Sequence, residues 1–397
     1  MRSSSLIFVA GLIFIIMTDA ILWYQLRRYI FKKWQISLYV LHTLFFLFFL
    51  IAFQFSVAQL KGPGAYFWIE KLIGVLFLFY VPKVVFIVLN GIGRLFARIW
   101  PVFSRVVGVL ASFTALSLFM LLLYSITLGR YQYKIEVVEV PFEQLPKAFE
   151  GFKIVQLSDL HLGSYGESYR GIDHLVRKVN ELRPDVIVFT GDMVNNFAAE
   201  MTPWIDDFQK LKAPYGKYAV TGNHDYGDYT RWPDATHKRE NLRQFYRNME
   251  KMGFHMLNNA HIPIVLQGDT LWITGVENWG NPPFPRYGDL TQAIDTLKAN
   301  DFIILLSHDP SHWRGEALQH QIPLTLSGHT HAMQMGLHIG KYKWSPSQYL
   351  YPEYDGLYRQ GQQYLYVSRG QGYLGFPGRI GLRPVITELI LTTEPQQ

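Results

Sequence analysis

From residue 159 onward, the chain carries side chains of the types that bind divalent metal ions, and they recur in five short motifs. Each motif follows a run of apolar and β-branched residues that predicts a buried strand, and small residues flank most of them. Because the strand ends of an α/β sheet converge in space, motifs that lie far apart in sequence can build one pocket. The candidate ligands are Asp159, His161, Asp192, Asn223, His308, His329 and His331.

The residue types indicate which ions these motifs would bind. Asp159 and His161 stand two positions apart, so in an extended chain both side chains point the same way and can bind one ion. The two carboxylate oxygens of Asp192 can bridge two cations, and the amide oxygen of Asn223 suits a hard divalent ion. The chain contains no cysteine, which argues against a structural thiolate zinc site and favours Mn, Fe, Zn or Mg.

Each motif alone also has a structural explanation. A lone buried histidine is more often a hydrogen-bonded structural residue, and a lone Gly-Asp pair is usually a turn. Seven such groups at five strand ends, however, would bury polar atoms without partners unless they share metal ions. The complete set therefore favours a pair of shared cations over unrelated structural residues.

From about residue 145 to its C-terminus, the chain resembles the calcineurin-like metallophosphoesterase superfamily. The resemblance rests on Asp159-x-His161, Gly191-Asp192, Gly222-Asn223-His224-Asp225, His308 and Gly328-His329-x-His331. It implies a four-layer α/β/β/α sandwich with a two-metal centre at the strand ends. The segments 145–154 and 366–370 are similar to those of the membrane-anchored branch, whose members carry N-terminal transmembrane helices.

The resemblance also implies a role for each residue. Asp159, His161 and His331 would hold the first ion, Asn223, His308 and His329 would hold the second, and Asp192 would bridge them. Two ions about 3.5–4 Å apart generate a hydroxide at neutral pH and clamp the attacking and leaving oxygens at phosphorus. His224 would stabilise the phosphoryl oxygen or protonate the leaving group. Asp225 would orient His224, or would be an ordinary turn or helix N-cap residue.

The chain departs from the pattern of many relatives at two places. Ala332-Met333-Gln334 replaces the two glycines and the glutamine that often follow the last histidine, and Val385 follows Arg383-Pro384 where a carboxylate is common. Neither difference changes a ligand. We therefore expect them to affect the rim of the pocket and the choice of substrate.

Residues 1–130 carry four apolar stretches, at about 6–24, 36–58, 69–89 and 106–128. Each is near the roughly 20 residues needed to cross a bilayer. A buried core helix or a signal peptide would explain one stretch, but four in succession with aromatic ends predict an all-α transmembrane domain. Residues 131–144 are predicted to be a linker that contains a strand.

Residues 145–397 are predicted to form the metallophosphoesterase domain. Helical periodicity at 171–182, 204–211, 237–252 and 290–299 alternates with the apolar strands, which supports an α/β architecture.

Basic residues in the connecting loops predict the orientation of the chain in the membrane. These residues are Arg27, Arg28, Lys32 and Lys33 in the first loop, Lys61 and Lys71 in the second, and Arg94, Arg98 and Arg105 in the third. The more basic first and third loops should face the cytoplasm. Both termini and the catalytic domain would then lie on the extracytoplasmic side.

The net charge of +6 belongs to the membrane half of the chain. Residues 1–130 hold twelve Lys or Arg against two acidic residues, whereas the remainder holds 25 basic and 29 acidic residues. Because the remainder has no basic run or stripe, we expect no nucleic acid as a partner. The expected partners are the lipid bilayer and a phosphorylated substrate, and a bilayer-anchored site favours a lipid-linked one.

Several polar and aromatic residues leave two interpretations open. Asp19, His42 and Lys83 fall inside the predicted spans and indicate a polar site within the membrane. The favoured alternative is one Asp19–Lys83 ion pair, or a Lys83 side chain that extends to the membrane surface. Aromatic-rich inserts stand at 226–232 and 341–358, and the second could line a groove, dip into the membrane interface or pack as an ordinary loop. Arg369, Arg379 and Arg383 are candidates for a second phosphate contact or for simple turn residues.

The favoured function is hydrolysis of a phosphate ester or pyrophosphate bond by a membrane-anchored, metal-dependent enzyme. One alternative is a membrane sensor or scaffold that binds phosphate compounds without turnover, which the intact ligand set argues against. Another is a transporter with an appended hydrolase, which the few polar positions in the spans argue against.

Overall fold

The computed structural model of the chain divides into two compact units, Met1–Thr127 and Leu128–Gln397. The structure describes residues 2–27, 29–30, 32–59, 62–166, 171–282, 284–340 and 342–393. Arg28 and Lys61, which enter the charge argument, and Lys341, which begins the second aromatic insert, lie outside the described residues.

The first unit contains four helices that are long and apolar enough to span a membrane. They are α1 Arg2–Leu26, α2 Lys33–Gln59, α3 Gly64–Leu95 and α4 Pro101–Thr127. Many of their large apolar side chains are exposed, which suits helices surrounded by lipid. The prediction of four apolar spanning helices is confirmed. Helix α3 extends beyond the predicted stretch 69–89 at both ends, and it contains Pro82.

A buried polar cluster joins three of these helices. Nζ of Lys83 in α3 lies 2.6 Å from Oδ1 of Asp19 in α1 and 2.7 Å from Nε2 of His42 in α2. Oδ2 of Asp19 accepts hydrogen bonds from the hydroxyls of Thr43 and Tyr80 at 2.8 and 3.1 Å. The ion pair favoured from the sequence is therefore present, and it extends into a network that connects α1, α2 and α3.

In the part of the chain that the structure describes, the second unit contains fourteen strands. They are β1 Lys134–Pro141, β2 Lys153–Leu157, β3 Val186–Thr190, β4 Lys217–Val220, β5 His255–Met256, β6 Ala260–Leu266, β7 Asp269–Gly275, β8 Phe302–Leu306, β9 Leu324–Ser327, β10 Leu337–Ile339, β11 Tyr342–Trp344, β12 Gly356–Gln360, β13 Gln363–Val367 and β14 Val385–Thr392. One six-stranded sheet has the order β1-β14-β2-β3-β4-β5, and the other has the order β12-β13-β9-β8-β7-β6. Strands β10 and β11 form a separate hairpin.

The strands that carry the motifs run in parallel within each sheet. Strand β2 pairs in parallel with β3 and β3 with β4, while β8 pairs in parallel with both β7 and β9. Their carboxyl ends therefore meet at one edge of each sheet, where loops can converge.

Helices cover both outer faces of the sandwich. They are α5 Gly171–Glu181, α6 Ile205–Gln209, α7 Ala235–Lys251 and α8 Leu290–Ala293. Along β3, Val186 and Val188 pack between the two sheets, whereas Ile187 and Phe189 pack against the side of α5 and α7. Helix α8 and the π-helical turn Trp313–Ala317 pack on the second sheet. The expected four-layer α/β/β/α sandwich is confirmed.

Strand β1 comes from the segment predicted as a linker that contains a strand. It pairs in parallel with β14 from Lys134 opposite Val385 to Pro141 opposite Thr392. Strand β14 pairs on its other side with β2 in antiparallel orientation. The segment is thus an edge strand of the first sheet, and the last strand of the chain lies between two early ones.

Helix α8 is shorter than the periodicity at 290–299 predicts. The side chain of Asp289 accepts a hydrogen bond from the backbone N–H of Gln292, which starts the helix. Nδ1 of His261 lies 2.7 Å from the carbonyl oxygen of Ala293. Because a side chain from β6 takes up this carbonyl, the helical hydrogen-bond ladder ends there.

Candidate metal centre

All seven predicted ligands come together at the strand ends of the two sheets. Four follow strands of the first sheet, namely Asp159 and His161 after β2, Asp192 after β3 and Asn223 after β4, and three follow the second, namely His308 after β8 and His329 and His331 after β9. Six of them are buried, and His329 is nearly so. The centre therefore exists only where the two sheets meet.

The ligand atoms form two groups. In the first, which consists of Asp159, His161 and His331, one donor atom from each residue lies within 4.8 Å of the others. Nε2 of His331 lies 3.0 Å from Nε2 of His161 and 3.4 Å from Oδ1 of Asp159. These three residues are the set that the resemblance assigns to the first ion.

The second group consists of Asp192, His308 and His329, again with donor atoms within 4.8 Å of one another. Nδ1 of His329 lies 3.0 Å from Oδ1 of Asn223 and 3.2 Å from Nε2 of His308. Oδ2 of Asp192 lies 3.2 Å from Nε2 of His308 and 3.6 Å from Nε2 of His161. One carboxylate oxygen therefore faces both groups.

Hydrogen bonds on the far side of two imidazoles determine which nitrogen faces the centre. Nδ1 of His308 donates to the carbonyl oxygen of Thr190 at 2.7 Å, and Nδ1 of His161 donates to Oδ1 of Asn195 at 3.0 Å. Each ring therefore carries a proton on Nδ1, so that Nε2 is the nitrogen that faces the centre and can bind a cation once it is deprotonated. Converging imidazole lone pairs, carboxylates and an amide oxygen form a donor set that fits two divalent cations.

Five of the ligands have left-handed backbone conformations. Their φ angles are 53° at Asp159, 49° at His161, 61° at Asp192, 73° at His329 and 48° at His331. Such conformations are uncommon for residues with a side chain and cost on the order of 1–3 kcal/mol each. They reverse the chain directly after the strands, so that side chains from separate loops point to one place.

Glycines allow the loops of the centre to approach one another closely. A Cβ atom on Gly222 would lie 2.6 Å from the backbone nitrogen of Asp192, and one on Gly191 would lie 2.7 Å from Nδ1 of His308. Both distances are too short for any side chain, so these contacts require glycine.

Burial and neighbouring charges shift the pKa values of the ligands. Burial raises the pKa of Asp159 to about 7, although the nearby His308 opposes the shift. Burial lowers the pKa of His161 to about 3 and that of His329 to about 4. Burial acts to lower the pKa of His308, but the charge and hydrogen bond of Asp192, together with Asp159 and the Thr190 carbonyl, raise it to about 10. Bound cations would favour ionised carboxylates and neutral imidazoles throughout this set.

His224 lies beside the ligands without belonging to either group. Its ring centroid is 4.9 Å from that of His161, and its backbone N–H donates to Oδ1 of Asp192 at 2.9 Å. Its Nδ1 lies 2.9 Å from the carbonyl oxygen of Asn195. This contact orients the ring and directs Nε2 away from Asn195.

Asp225 has a different position from the one expected of a residue that orients His224. Its carboxylate accepts hydrogen bonds from the backbone N–H groups of Gly222, Asp192, Met193 and Val194, at 2.8, 3.0, 2.9 and 3.2 Å. It therefore holds the loop that presents Asp192, and the Asn195 carbonyl orients the His224 ring. Of the two roles considered from the sequence, that of a turn residue is nearer to these contacts.

Comparison with known proteins agrees with this geometry. The family model described as calcineurin-like phosphoesterase matches residues 152–333. A transmembrane protein with metallophosphoesterase domain from Danio rerio is 32% identical over 321 residues, which cover 77% of this chain and 69% of that protein. The chain belongs to the calcineurin-like phosphoesterase family. It is a metal-dependent phosphoric ester hydrolase with transmembrane helices, as the motifs predicted.

Two further comparisons concern the metallophosphoesterase domain. The metallophosphoesterase YkuE of Bacillus subtilis is 34% identical over 253 residues, which cover 62% of this chain and 81% of YkuE. The crystal structure of a dimetal phosphatase from Danio rerio aligns with 56% of this chain and 88% of its own, at 12% identity and a TM-score of 0.36. That similarity is too low to support an argument about this centre.

Two residues that support the metallophosphoesterase centre, Asn195 and Tyr229, were not singled out from the sequence. Asn195 orients both His161 and His224, as described above. The hydroxyl of Tyr229 accepts a hydrogen bond from Nδ2 of Asn223 at 2.7 Å, which leaves Oδ1 of that amide facing the centre. The signal for Asn195 was the pair Asn195-Asn196 directly after the apolar Met193 and Val194, because adjacent buried amides need specific partners.

Tyr351, from the second aromatic insert, was a candidate for lining a groove, and it also contacts the centre. Its hydroxyl lies 2.8 Å from Nε2 of His329. The sequence had placed both Tyr229 and Tyr351 in aromatic-rich inserts without assigning them contacts. Both inserts therefore reach the metal centre.

The two buried arginines near the C-terminus have protein partners. Arg369 pairs with Asp355 at 2.7 Å and with Glu136 at 3.0 Å. Arg379 donates to the carbonyl oxygens of Arg369, Gly370 and Gly372 at 2.7, 3.1 and 2.6 Å. These contacts match the structural alternative for both arginines, and they stabilise the loop that follows β13.

Proposed function

We propose that the protein hydrolyses a phosphodiester or pyrophosphate bond in a lipid-linked substrate, with manganese as the first candidate for both ions. The observation that carries the proposal is the position of Asp192, whose Oδ2 faces His308 and His161 at once. Two bound divalent cations would supply the Lewis acidity and the activated water that displacement at phosphorus requires.

His224 is the residue that we assign to proton transfer. It lies next to the bridging carboxylate, and the carbonyl of Asn195 fixes its Nδ1. In its protonated form the ring would donate from Nε2 to the leaving oxygen, and such catalysis contributes roughly 10²–10⁴-fold.

A cavity beside the metal centre supports a polar leaving group. Its volume is about 350 Å³, and its lining includes Trp279, Ser311, Arg314, Tyr351 and Glu353. It shares Tyr351 with the centre, where the Tyr351 hydroxyl contacts His329. Aromatic rings beside paired charges suit a sugar-like or phosphorylated head group better than an acyl chain.

An assay of the purified full chain with added Mn²⁺ and a chromogenic phosphodiester tests this function. We expect turnover that Asp192→Asn abolishes and that His224→Gln reduces by about 10²-fold or more. The surface variant His237→Gln is the matched control. Manganese binding without turnover would instead indicate a sensor.

The lipid linkage needs a separate measurement. Lipids and phosphorylated metabolites of cells that carry the unaltered protein are compared with those of cells that carry His224→Ala. We expect a phosphorylated lipid-linked species to accumulate only with the variant. Accumulation of a water-soluble compound alone would contradict the lipid linkage.

We also propose that the catalytic unit lies on the extracytoplasmic side. The basic residues of the first and third loops support this orientation. All of them except Arg28 lie in the described part of the chain, namely Arg27, Lys32, Lys33, Arg94, Arg98 and Arg105. The chain has no cysteine, so Val265→Cys on β6 provides a single labelling site. A membrane-impermeant maleimide should label it in intact cells, and labelling only after permeabilisation would contradict the orientation.

A further inference from the structure

The exposed apolar surface of the second unit is concentrated in one segment. Among its described residues, fourteen large hydrophobic side chains are exposed, and eight of them lie within residues 333–350. These eight are Met333, Met335, Leu337, Ile339, Tyr342, Trp344, Tyr349 and Leu350. Exposed apolar residues scattered singly are normal, but a cluster of this kind marks a contact surface.

The hairpin of β10 and β11 places four of these side chains on one face. Leu337 lies opposite Trp344 and Ile339 opposite Tyr342, and alternate residues of a strand share a face. Their exposed fractions are 54, 43, 62 and 73%, respectively. One face of the hairpin is therefore apolar and open.

The other face of the hairpin is attached to the rest of the unit. His338 and Lys343 form the remaining cross-strand pair. Nε2 of His338 lies 3.1 Å from Oδ2 of Asp355, and Oδ1 of Asp355 pairs with the buried Arg369 at 2.7 Å. The attachment holds the apolar face outward.

The segment is tied to the metal centre at both of its ends. Met333 follows the ligand His331 by two residues. Leu350 precedes Tyr351, whose hydroxyl contacts the ligand His329. The hairpin is therefore connected at both ends, through only a few residues, to the metal centre.

We propose that this hairpin face docks onto a lipid bilayer and so delivers lipid-borne substrates to the metal centre. The chain contains four helices of membrane-spanning character, so a bilayer is always available to it, whereas a soluble partner would have to be recruited. Tryptophan and tyrosine prefer the head-group level, and leucine and isoleucine side chains enter the acyl boundary. The delivery of substrate rests on the proposed function, but docking itself does not require catalysis.

Fluorescence labelling of the full chain tests the docking directly. Because the chain has no cysteine, Ile339→Cys carries one environment-sensitive fluorophore without background. The protein is placed in phosphatidylcholine nanodiscs, with or without a nitroxide quencher attached to the lipid. The matched control is Val265→Cys, an apolar residue of β6 that is 60% exposed.

We expect blue-shifted emission and lipid-dependent quenching for the label at 339 and neither for the label at 265. Water-like emission without quenching at both positions would overturn the proposal. A blue shift without lipid quenching would also overturn it, because it would show that a protein partner or a second copy of the chain covers the face.

An activity measurement then separates docking from the proposed function. Combined replacement Leu337→Ser, Ile339→Ser and Trp344→Ser should reduce hydrolysis of a phosphodiester lipid in the nanodisc by about tenfold, the equivalent of about 1.4 kcal/mol of lost contact. Hydrolysis of the soluble chromogenic diester should stay unchanged, and an equal loss on both substrates would contradict the delivery role. Lipid quenching in a protein without any hydrolysis would support docking while refuting the proposed function.

Discussion

The carboxylate of Asp225 accepts a hydrogen bond from the backbone N–H of Asp192 at 3.0 Å. A buried side chain that is not a ligand thus fixes the loop that carries the bridging ligand. Burial, together with repulsion from Asp192, raises the pKa of Asp225 to about 7. Four backbone hydrogen bonds oppose that shift by stabilising the ionised form.

Replacement Asp225→Asn should weaken the metal centre without removing a ligand. In Asp225→Asn an NH₂ group replaces one of the two oxygens that accept hydrogen bonds from backbone N–H groups. Two donors would then face each other, so the loop that carries Asp192 would have to move. We expect a loss of about 10–100-fold in metal affinity, as is usual for residues that support ligands. Calorimetric titration with Mn²⁺ measures it, with Asp228→Asn as the control from the same loop. Equal affinities for the two variants would contradict this role.

Replacement Tyr351→Phe removes the hydroxyl that contacts His329 and keeps the ring that lines the cavity. We expect kcat/KM for the chromogenic diester to fall by about tenfold, because a hydrogen bond of about 1.4 kcal/mol is lost at a ligand. Steady-state kinetics measure this change. Tyr349→Phe, two residues away and exposed, should be silent. A comparable loss in the control would indicate a general effect of the insert.

The Asp19–Lys83 pair predicts strong coupling within the helical unit. Lys83→Met leaves the Asp19 carboxylate buried without its cation, and such a change costs about 3–5 kcal/mol. The double variant Asp19→Asn/Lys83→Met should recover much of that loss. Unfolding of the full chain in detergent, followed by circular dichroism, supplies the energies, and Lys71→Met on the same helix is the control. If the double variant changed the free energy of unfolding by the sum of the changes in Asp19→Asn and Lys83→Met, the coupling would be refuted.

His312 predicts a stability change in mild acid. Burial lowers its pKa from 6.5 to about 4, although Glu316 opposes the shift. Between these values the unfolded chain binds a proton that the folded chain does not, so stability falls as pH drops from 6.5 towards 4. The slope from this residue is at most about 1.4 kcal/mol per pH unit.

As pH falls from 6.5 towards 4, the unfolding temperature of His312→Gln should therefore decrease less than that of the unaltered protein. Thermal unfolding of the metal-saturated full chain measures the two slopes. His237→Gln on the surface should keep the original slope. Identical pH profiles for His312→Gln and the unaltered protein would rule out this contribution.

Local pattern was enough to predict the strands and the polar side chains that the structure brings together at their ends. Successive side chains of the strand Val186–Thr190 point to the two opposite faces of the sheet, and both faces are buried. The Gly-Asp pair that follows this apolar run indicates a turn at the end of the strand. The same reasoning located the membrane helices, because length and apolar composition suffice for them.

Long-range contacts explain what the local pattern did not predict. Strand β14 lies between β1 and β2, a pairing set by residues more than two hundred positions apart. Helix α8 ends early because His261, 32 positions away, takes the Ala293 carbonyl. Asn195 and Asp225 have their roles only once the loops after β2, β3 and β4 are packed together.

The centre takes Asp192 from the first sheet and His308 from the second, and neither sheet alone holds a complete set of ligands. Cation binding is consequently linked to the docking of one half of the sandwich on the other. A chelator that removes the ions would therefore weaken the contact between the two sheets. The hydrogen bonds between strands within each sheet would not be affected. Bound ions would thus add to the apolar core between the sheets in stabilising the closed sandwich.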